Sequence, residues 1–219
     1  MYAAQPDQHL LLALEAKTGK TAWTYTSNGR IDSPPSLYAG LVLFGCRDGY
    51  VYCLRAKDGE LVWRFRAAHD PRRIMASSQI ESASPVHGSV LVDGDQLAFV
   101  AGRSSYLDGG LKLYRLKPLT GELLSKTDIY SPDPETGEQP EQFGPNSMPG
   151  ARSDILAADD QFLYLRDTTF SRAGLEVTDR APHLFTLTNF LDDSWAHRSY
   201  WIFGTTSSIA TGCSGRDRK

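Results

Sequence analysis

A repeated segment with a glycine turn constrains the fold of this 219-residue chain more than any other feature. Residues 14–23 align without gaps on residues 54–63, which lie 40 residues further along, and both copies end in Trp. Residues 116–125 form a third copy that keeps the turn but ends in Ser. Repeats of about 40 residues are typical of architectures in which each unit buries its apolar face against its neighbours.

Each copy has the pattern of a β-hairpin. An apolar strand leads into a short turn, and a second strand, with apolar residues in alternation, leaves it. The first strands are predicted at residues 10–14, 50–54 and 111–116, and the second at residues 22–25, 61–65 and 123–129. The turns contain Gly19, Gly59 and Gly121. Glycine adopts the left-handed conformation of such a turn without the strain that a β-branched residue would meet.

Two further strands precede each of the later hairpins and complete a four-stranded unit. They are predicted at residues 36–38 and 41–45, around Ala39-Gly40, and at residues 87–92 and 96–101, around Asp93-Gly94. Four antiparallel strands in this order make one blade of a β-propeller. The sequence therefore predicts an all-β propeller built from four-stranded antiparallel blades.

The predicted blades fill only part of a ring. Residues 33–66 and 84–130 each supply one blade, residues 1–26 the end of an earlier blade, and residues 154–210 part of a later one. Residues 131–153, rich in Pro and Gly, are predicted to be an insert between blades. Because a propeller has typically 4–8 blades and ring closure removes free sheet edges, we expect a fragment of a longer protein. Its partners would be the remaining blades of the parent chain, or other copies associated through open edges.

The repeat resembles the tryptophan-docking pattern Ala-x-Asp-x-x-x-Gly-x-x-x-Trp of propellers named after pyrroloquinoline quinone (PQQ). Residues 13–23 match it with Glu15 in place of Asp, and residues 53–63 match it less fully. Such propellers occur in quinoprotein dehydrogenases and in the propeller lipoprotein of the outer-membrane barrel assembly machine. The resemblance implies that Trp23 and Trp63 stack between neighbouring blades and bury a large aromatic surface.

The same resemblance bears on cofactor and location. It implies PQQ as the cofactor of the catalytic members, which carry adjacent cysteines near it, whereas Cys46, Cys53 and Cys213 are all separated. It also implies a periplasmic or otherwise exported location. Residues 33–35 and 50–55 further resemble segments of long propeller proteins from planctomycete-type bacteria, whose roles are mostly unassigned.

Charge and hydropathy argue against two classes of partner. The formal net charge is −3 at pH 7, and no basic patch of the kind that binds nucleic acid is present. No apolar run approaches the roughly 18 residues that would indicate a membrane-spanning helix. Residues 1–5 lack the charged and apolar regions of a signal peptide.

Two of the cysteines flank an Asp48-Gly49 pair that predicts a two-residue hairpin loop. In that register Cys46 faces Val51 and Cys53 faces Phe44, so both thiols would share one face, about 7–8 Å apart along a diagonal. A disulfide needs Cβ atoms about 3.8 Å apart. Both cysteines are therefore interpreted as small core residues.

Two polar inserts are candidates for a binding site, because function in propellers is carried mainly by loops. The first comprises residues 67–81 with His87 and the Gly-rich loop 102–110. These segments carry groups suited to hold an anion or a polyol: Arg72, Arg73, Glu81, His87, Arg103 and Asp108. The alternative is a solvated loop with ion pairs between blades.

The second insert spans residues 189–201 and carries Asp192, Asp193, Trp195 and His197. Paired carboxylates beside Trp and His are suited to bind a sugar or a metal ion. As a metal signal the pattern is weak, because no second cluster of ligands accompanies it. The alternative is aromatic packing between blades with carboxylates at the surface.

Sequence motifs of catalysis are absent. The chain contains no Cys-x-x-Cys-His haem site, no Gly-rich phosphate loop with Lys and no Gly-x-Ser-x-Gly elbow. We therefore predict a non-catalytic propeller module that acts as a scaffold or binds a protein or carbohydrate ligand through loops. Two alternatives stay open, a fragment of a PQQ-dependent oxidoreductase and a glycan-binding propeller, because fold alone does not rank them.

Overall fold

The computed structural model describes residues 1–76, 78–138, 150–178, 181–186 and 201–205. Within these ranges the chain forms antiparallel β-sheets, and its one helical element is a 3-10 turn at Pro6–Gln8. The predicted all-β class is therefore confirmed.

Two sheets, blades A and B, come from the first part of the chain. Blade A has three strands, paired in chain order: β1 Tyr2–Gln5, β2 Leu10–Leu14 and β3 Thr21–Thr26. Blade B has four, also paired in chain order: β4 Ser36–Tyr38, β5 Leu41–Gly45, β6 Tyr50–Arg55 and β7 Leu61–Arg66. This sequential antiparallel pairing is the arrangement of a propeller blade.

Two more blades and two separate hairpins follow. The hairpin of β8 Arg73–Ala76 and β9 Gln79–Ser82 precedes blade C, which consists of β10 Leu91–Asp93, β11 Gln96–Ala101, β12 Leu111–Leu116 and β13 Leu123–Ile129. Blade D consists of β14 Leu156–Ala158, β15 Phe162–Leu165 and β16 Thr168–Ser171. A last hairpin pairs β17 His183–Thr186 with β18 Trp201–Gly204. The predicted four-stranded blades and incomplete ring are confirmed.

The first strand of blade C is shorter than the one predicted at residues 87–92, because β10 begins at Leu91. The segment before it bonds to blade B instead. Val86 N–H donates to Cys46 O over 3.1 Å, and Val90 O accepts a hydrogen bond from the Ser36 hydroxyl. This segment therefore bridges two blades and does not extend the ladder with β11.

The core lies between the blades, because alternate residues of a strand point to opposite faces of its sheet. Blades A and B bury Leu11, Ile31, Val42, Phe44, Cys46, Tyr52 and Leu54 between them. The layer between blades B and C includes Leu43, Val51, Cys53, Leu97, Phe99 and Tyr114. The layer between blades C and D includes Val100, Leu113, Leu163, Leu165 and Phe170. The four blades therefore pack side by side, with one apolar layer between each neighbouring pair.

The two described cysteines lie in different layers, so the prediction that they share one face is wrong. Cys53 pairs with Leu43, and Cys46 N–H donates to Tyr50 O over 3.0 Å. The turn has three residues, 47–49, and its last residue has a φ of 88°. One extra residue slips the register by one and turns Cys46 to the other face. Their interpretation as buried core thiols is confirmed.

Each of the two tryptophans of the repeat lies over the turn glycine of the next blade. Trp23 Nε1 donates to Ala56 O over 3.0 Å, and Trp63 Nε1 donates to Pro118 O over 3.1 Å. A Cβ atom added at Gly59 would lie 2.7 Å from the Trp23 ring, and one at Gly121 would lie 2.8 Å from the Trp63 ring. The indole thus occupies the space that a side chain would fill, which is the arrangement implied by the family resemblance.

The seam between blades C and D keeps this geometry without an indole. Ser125, at the Trp position of the third copy, donates to Ala173 O over 3.3 Å, and Thr127 Oγ1 donates to Gly174 O over 2.6 Å. Gly174 has a φ of 85°, and a Cβ atom there would lie 3.1 Å from Cδ of Arg115. A fourth turn glycine that the sequence comparison missed therefore docks on a polar seam.

The antiparallel order of the strands places two kinds of loop at opposite ends of the blades. The connections between blades and the turns β5–β6 and β11–β12 lie at one end, which we call the loop face. The turns that carry Gly19, Gly59 and Gly121 lie at the other end. Both predicted segments of the first candidate site, residues 67–81 and 102–110, belong to the loop face.

Candidate functional site

Backbone hydrogen bonds knit together the segments of the loop face. Arg47 N–H donates to Arg30 O over 2.9 Å, and Ser82 N–H donates to Arg47 O over 2.8 Å. Gly102 N–H donates to Pro85 O over 2.9 Å. The connections before and after blade B are thus tied to the turn β5–β6 and to the loop that follows β11. Because these backbone groups are paired, the side chains on them are held in fixed positions.

A charged cluster lies on this frame, and we call Arg30, Asp32, Arg47, Glu81 and Arg103 the Glu81 cluster. The Glu81 carboxylate is 2% exposed and lies 3.1 Å from Arg47 NH1 and 3.2 Å from Arg103 NH2. Arg47 also pairs with Asp32, which in turn accepts a hydrogen bond from Arg30 Nε over 3.1 Å. Three guanidinium groups thus share two carboxylates. A buried carboxylate is tolerated because it is paired on both sides.

His87 lies within the electrostatic reach of this cluster. Its Nδ1 is shielded from solvent and has no hydrogen-bond partner among the described residues. Burial, with the charges of Arg47 and Arg103 in addition, lowers the pKa of His87 to about 3. The imidazole is therefore neutral at pH 7, and it contributes no positive charge to an anion site.

This neutral histidine predicts a loss of stability in acid. In an unfolded chain the imidazole has its ordinary pKa of about 6.5. As the pH falls below that value, the unfolded state therefore binds a proton at His87, whereas the folded state does not. Between pH 7 and pH 5 the free energy of unfolding should fall by about 2 kcal/mol through His87 alone. The measurement is urea unfolding of the wild type and of His87→Gln at both pH values. Parallel changes in the two proteins would contradict the shifted pKa.

A second polar group joins the hairpin connection to the loop after β11. Arg72 NH2 lies 2.8 Å from the Asp108 carboxylate, and Arg72 Nε donates to Asp70 over 2.7 Å. His69 Nε2 donates to the Asp108 carbonyl over 2.8 Å. Because Arg72 is exposed, this ion pair is screened by solvent and contributes little to stability.

The contact between Ser84 and His69 is not that of a nucleophile and its base. Ser84 Oγ lies 3.3 Å from His69 Nε2. That nitrogen must carry the proton that it donates to the Asp108 carbonyl, since a carbonyl oxygen is only an acceptor. It therefore has no lone pair with which to accept the Ser84 proton, and the pair lacks the function that nucleophilic catalysis requires.

The structure divides the predicted residues of the first site into two groups. Glu81, Arg103 and His87 come together, whereas Arg72 and Asp108 pair separately on the loop face. Arg73 is exposed at the start of β8 and makes no ion pair with any described residue. Whether these residues bind a ligand stays a prediction.

Sequence reasoning missed three of the five residues of the Glu81 cluster: Arg30, Asp32 and Arg47. Arg47 lies in the turn β5–β6 and Asp32 in the connection before β4. Both stand at loop positions between predicted strands, which was the available signal, but neither belongs to a polar insert. The residues of the second predicted site, Asp192, Asp193, Trp195 and His197, lie outside the described residues, so the sugar-binding and metal-binding hypotheses stay predictions.

Two further properties concern the described part of the chain only. It contains no group of three or more His, Cys, Asp or Glu residues that could hold a metal ion. Its helical content includes no segment with the length and apolarity needed to cross a bilayer.

A family model for PQQ-type repeats, described as outer membrane protein assembly factor BamB, matches residues 2–170. The chain belongs to this family. The match covers blades A to D, and it agrees with the docking of Trp23 and Trp63 on the next turn glycine. The likeness to planctomycete-type proteins stays a prediction from the sequence. No curated protein matches the chain significantly.

Solved structures are similar to this chain at low sequence identity. The quinohemoprotein alcohol dehydrogenase ADHIIG of Pseudomonas putida HK5 is 18% identical, with a TM-score of 0.58 over 77% of this chain and 26% of its own. The quinohemoprotein alcohol dehydrogenase of Comamonas testosteroni is 20% identical, with a TM-score of 0.49 over 62% of this chain and 20% of its own. BamB from Moraxella catarrhalis is 15% identical, with a TM-score of 0.37 over 77% of this chain and 66% of its own. This chain spans about a quarter or less of the length of these dehydrogenases. At 18% identity, the similarity to ADHIIG shows a shared fold alone.

PQQ is the cofactor that the resemblance to quinoprotein dehydrogenases implies, and the Glu81 cluster and the two described cysteines do not fit it. Its carboxylates need available guanidinium groups, whereas Arg47 and Arg103 already bind Glu81. A calcium ion beside it would need about six to eight oxygen ligands, and the described residues offer no acidic group of three. Cys46 and Cys53 lie in separate core layers, so they do not replace the adjacent cysteines of the catalytic members.

Proposed function

We propose that this chain is a non-catalytic propeller module that binds a protein partner through its loop face. The observation that carries the proposal is the Glu81 cluster. Its guanidinium and carboxylate groups bind one another, and they fix the connections that leave blades A and B. Charges that are paired and mostly buried hold a surface in shape, and they are not free to bind a substrate or transfer a proton.

The titratable groups support the same conclusion. General acid–base catalysis works best with an accessible group whose pKa lies near the working pH. His87 is neutral over the whole physiological range, since burial lowers its pKa to about 3. Burial raises the pKa of the Cys53 thiol to about 12, so this thiol is protonated at neutral pH and is not a nucleophile.

A titration with PQQ and Ca²⁺ tests the proposal against the alternative of a quinoprotein oxidoreductase. We expect no saturable change in cofactor absorbance and no rise in melting temperature, because the arginines of the Glu81 cluster are already paired with carboxylates. The sample must first show a cooperative thermal transition, so that an unfolded chain is not mistaken for one that does not bind. Saturable binding with a raised melting temperature would overturn the non-catalytic proposal. Dye-linked oxidation of an alcohol or sugar by the full-length parent would do the same.

We also infer that further blades, or other copies of the chain, cover the outer faces of the described sheets. The hairpin β17–β18 stacks His183 on Tyr164 of blade D, with ring centroids 4.2 Å apart. Its opposite face carries Leu184 and Phe203, which pair across the strands and are both exposed. In blades B and C, alternate residues of each strand likewise point to opposite faces, and each face packs against one neighbouring blade. Export is likewise a proposal, supported by membership of the family of an outer membrane protein assembly factor.

A further inference from the structure

The hairpin β8–β9 belongs to no blade. It forms a separate two-stranded sheet within the connection from blade B to blade C, on the loop face. The corresponding connection from blade A to blade B contains no strand. An isolated hairpin of this size is marginally stable in water. The hairpin is therefore an insertion that the rest of the molecule must hold in place.

One face of the hairpin is anchored. Glu81 lies on β9 and is the central carboxylate of the Glu81 cluster. At the far end of β9, His9 Nε2 donates to Gln79 Oε1 over 2.8 Å, so the hairpin also reaches the turn β1–β2 of blade A. Gln79 and Glu81 lie two residues apart on one strand, so their side chains point to the same face of the hairpin. Two polar anchors at opposite ends of β9 thus hold the hairpin firmly.

The other face is exposed and apolar. Met75 and Ile80 pair directly across the two strands, and they are 71% and 58% exposed. Arg73 lies two residues before Met75 on the same face and makes no ion pair with any described residue. Two large apolar side chains that are adjacent, fixed in position and exposed to solvent mark an interaction surface more often than a single exposed residue does.

The backbone of β8 is also open. Ala83 N–H bonds to Arg72 O within the hairpin, whereas Ser82 N–H points out to Arg47 O. By the alternation of an antiparallel ladder, Arg73 and Met75 then direct their N–H and C=O groups away from β9. No described strand pairs with that edge. An extended peptide could therefore add to β8 as a third strand.

We propose that the β8 edge binds an extended, acidic segment of a partner protein by strand addition. Main-chain hydrogen bonds to Arg73 and Met75 would supply the pairing. An apolar side chain of the partner would cover Met75 and Ile80, and a carboxylate would pair with Arg73. This inference rests on the proposed function, since it names the part of the loop face that the partner contacts.

A membrane surface fits these residues less well. Electrostatic attachment to anionic lipid takes clusters of about 4–8 Lys or Arg residues. The exposed face of the hairpin offers Arg73, while the neighbouring Arg72 is neutralised by Asp70 and Asp108. Moreover, the unpaired N–H and C=O groups of a strand edge can form a regular ladder of hydrogen bonds with another strand, whereas a lipid surface offers no such ladder.

The test is selection of short random peptides, displayed on phage, by the whole chain. We expect enrichment of sequences with alternating apolar residues and at least one Asp or Glu. Arg73→Glu and Met75→Ser should each weaken binding of a selected peptide by about tenfold. Both changes lie on the uncovered face, so the melting temperature should stay near that of the wild type. Lys57→Glu, at an exposed site on the opposite end of blade B and without an ion pair among the described residues, is the matched control and should bind normally.

Methylation of the peptide backbone separates strand addition from side-chain contact alone. Methyl groups on one alternate set of peptide nitrogens should abolish binding, and those on the other set should leave it intact, because only one set faces β8. Absence of enrichment, or binding that neither substitution weakens, would overturn the inference. So would equal effects of both methylation patterns, or stronger binding to phosphatidylserine vesicles that Arg73→Glu removes. The PQQ titration on the same sample keeps the two proposals apart, since cofactor binding would overturn the proposed function whatever the peptides do.

Discussion

Gly121→Ala is expected to lower the free energy of unfolding by about 3 kcal/mol, and Gly19→Ala by only about 1 kcal/mol. Both glycines hold the same left-handed conformation, with φ of 71° and 70°. Their surroundings differ. An added Cβ atom would lie 2.8 Å from the Trp63 ring at Gly121, whereas no described atom lies within 4 Å of one at Gly19. The difference between the two variants therefore isolates the docking contact.

The Trp63 ring has little freedom to withdraw from an added methyl group. Its Nε1 donates to Pro118 O over 3.1 Å, and its strand pairs with β6. Overpacking of a fitted contact costs about 1–3 kcal/mol. The measurement is urea unfolding of both variants, followed by circular dichroism, and equal slopes would show that stability alone has changed.

Trp63→Ala provides the control for this pair. Without the indole the added methyl group has room, so Gly121→Ala in the Trp63→Ala background should cost only the backbone strain, about 1 kcal/mol. The double-mutant cycle then gives the coupling between ring and turn directly. If Gly121→Ala costs the same with and without Trp63, the ring does not dock on this turn.

Glu81→Gln is expected to lower the free energy of unfolding by about 3 kcal/mol, because it leaves Arg103 partly buried without a counter-charge and removes one of the two carboxylates that pair with Arg47. The substitution keeps the shape of the side chain and removes only its charge. It should also loosen the hairpin β8–β9, which depends on Glu81 for one of its two anchors. Amide exchange of the hairpin, measured by mass spectrometry, should become faster than in the wild type.

Glu60→Gln is the matched control for the charge. Glu60 pairs with Arg55 at the surface, where its side chain is 70% exposed. Exposed ion pairs contribute about 0–1 kcal/mol, so this variant should unfold almost like the wild type. Similar losses in both variants would mean that burial does not set the strength of the Glu81 cluster.

Hairpins and blades could be predicted because they depend on local patterns. Alternation along residues 61–65 and the turn at Gly59 each lie within a few residues, and the same pattern recurs 40 residues apart. The errors also have local causes. The turn at residues 47–49 is one residue longer than the Asp48-Gly49 pair suggests, and this slip separates Cys46 from Cys53.

The candidate site could be predicted only in part. Glu81 and Arg103 were found because they stand in polar inserts. Their partner Arg47 was missed, because a single arginine in a tight turn looks the same in sequence whether it is solvated or buried. The exposed face of the hairpin was missed for a similar reason, since Met75 and Ile80 have the composition of core residues.

The sequence alone determined the repeat, the antiparallel blades and the turn glycines Gly19, Gly59 and Gly121, since each is encoded by spacing within one unit. The tertiary structure alone decided which side chains meet. Asp32, Arg47 and Arg103 come from three separate loops and Glu81 from the hairpin β8–β9, and they converge because the blades stack and bring their loop ends together. That convergence buries the carboxylate of Glu81, whereas the side chain of Met75 stays exposed to solvent. Burial depends on what the neighbouring segments cover and not on the residue itself.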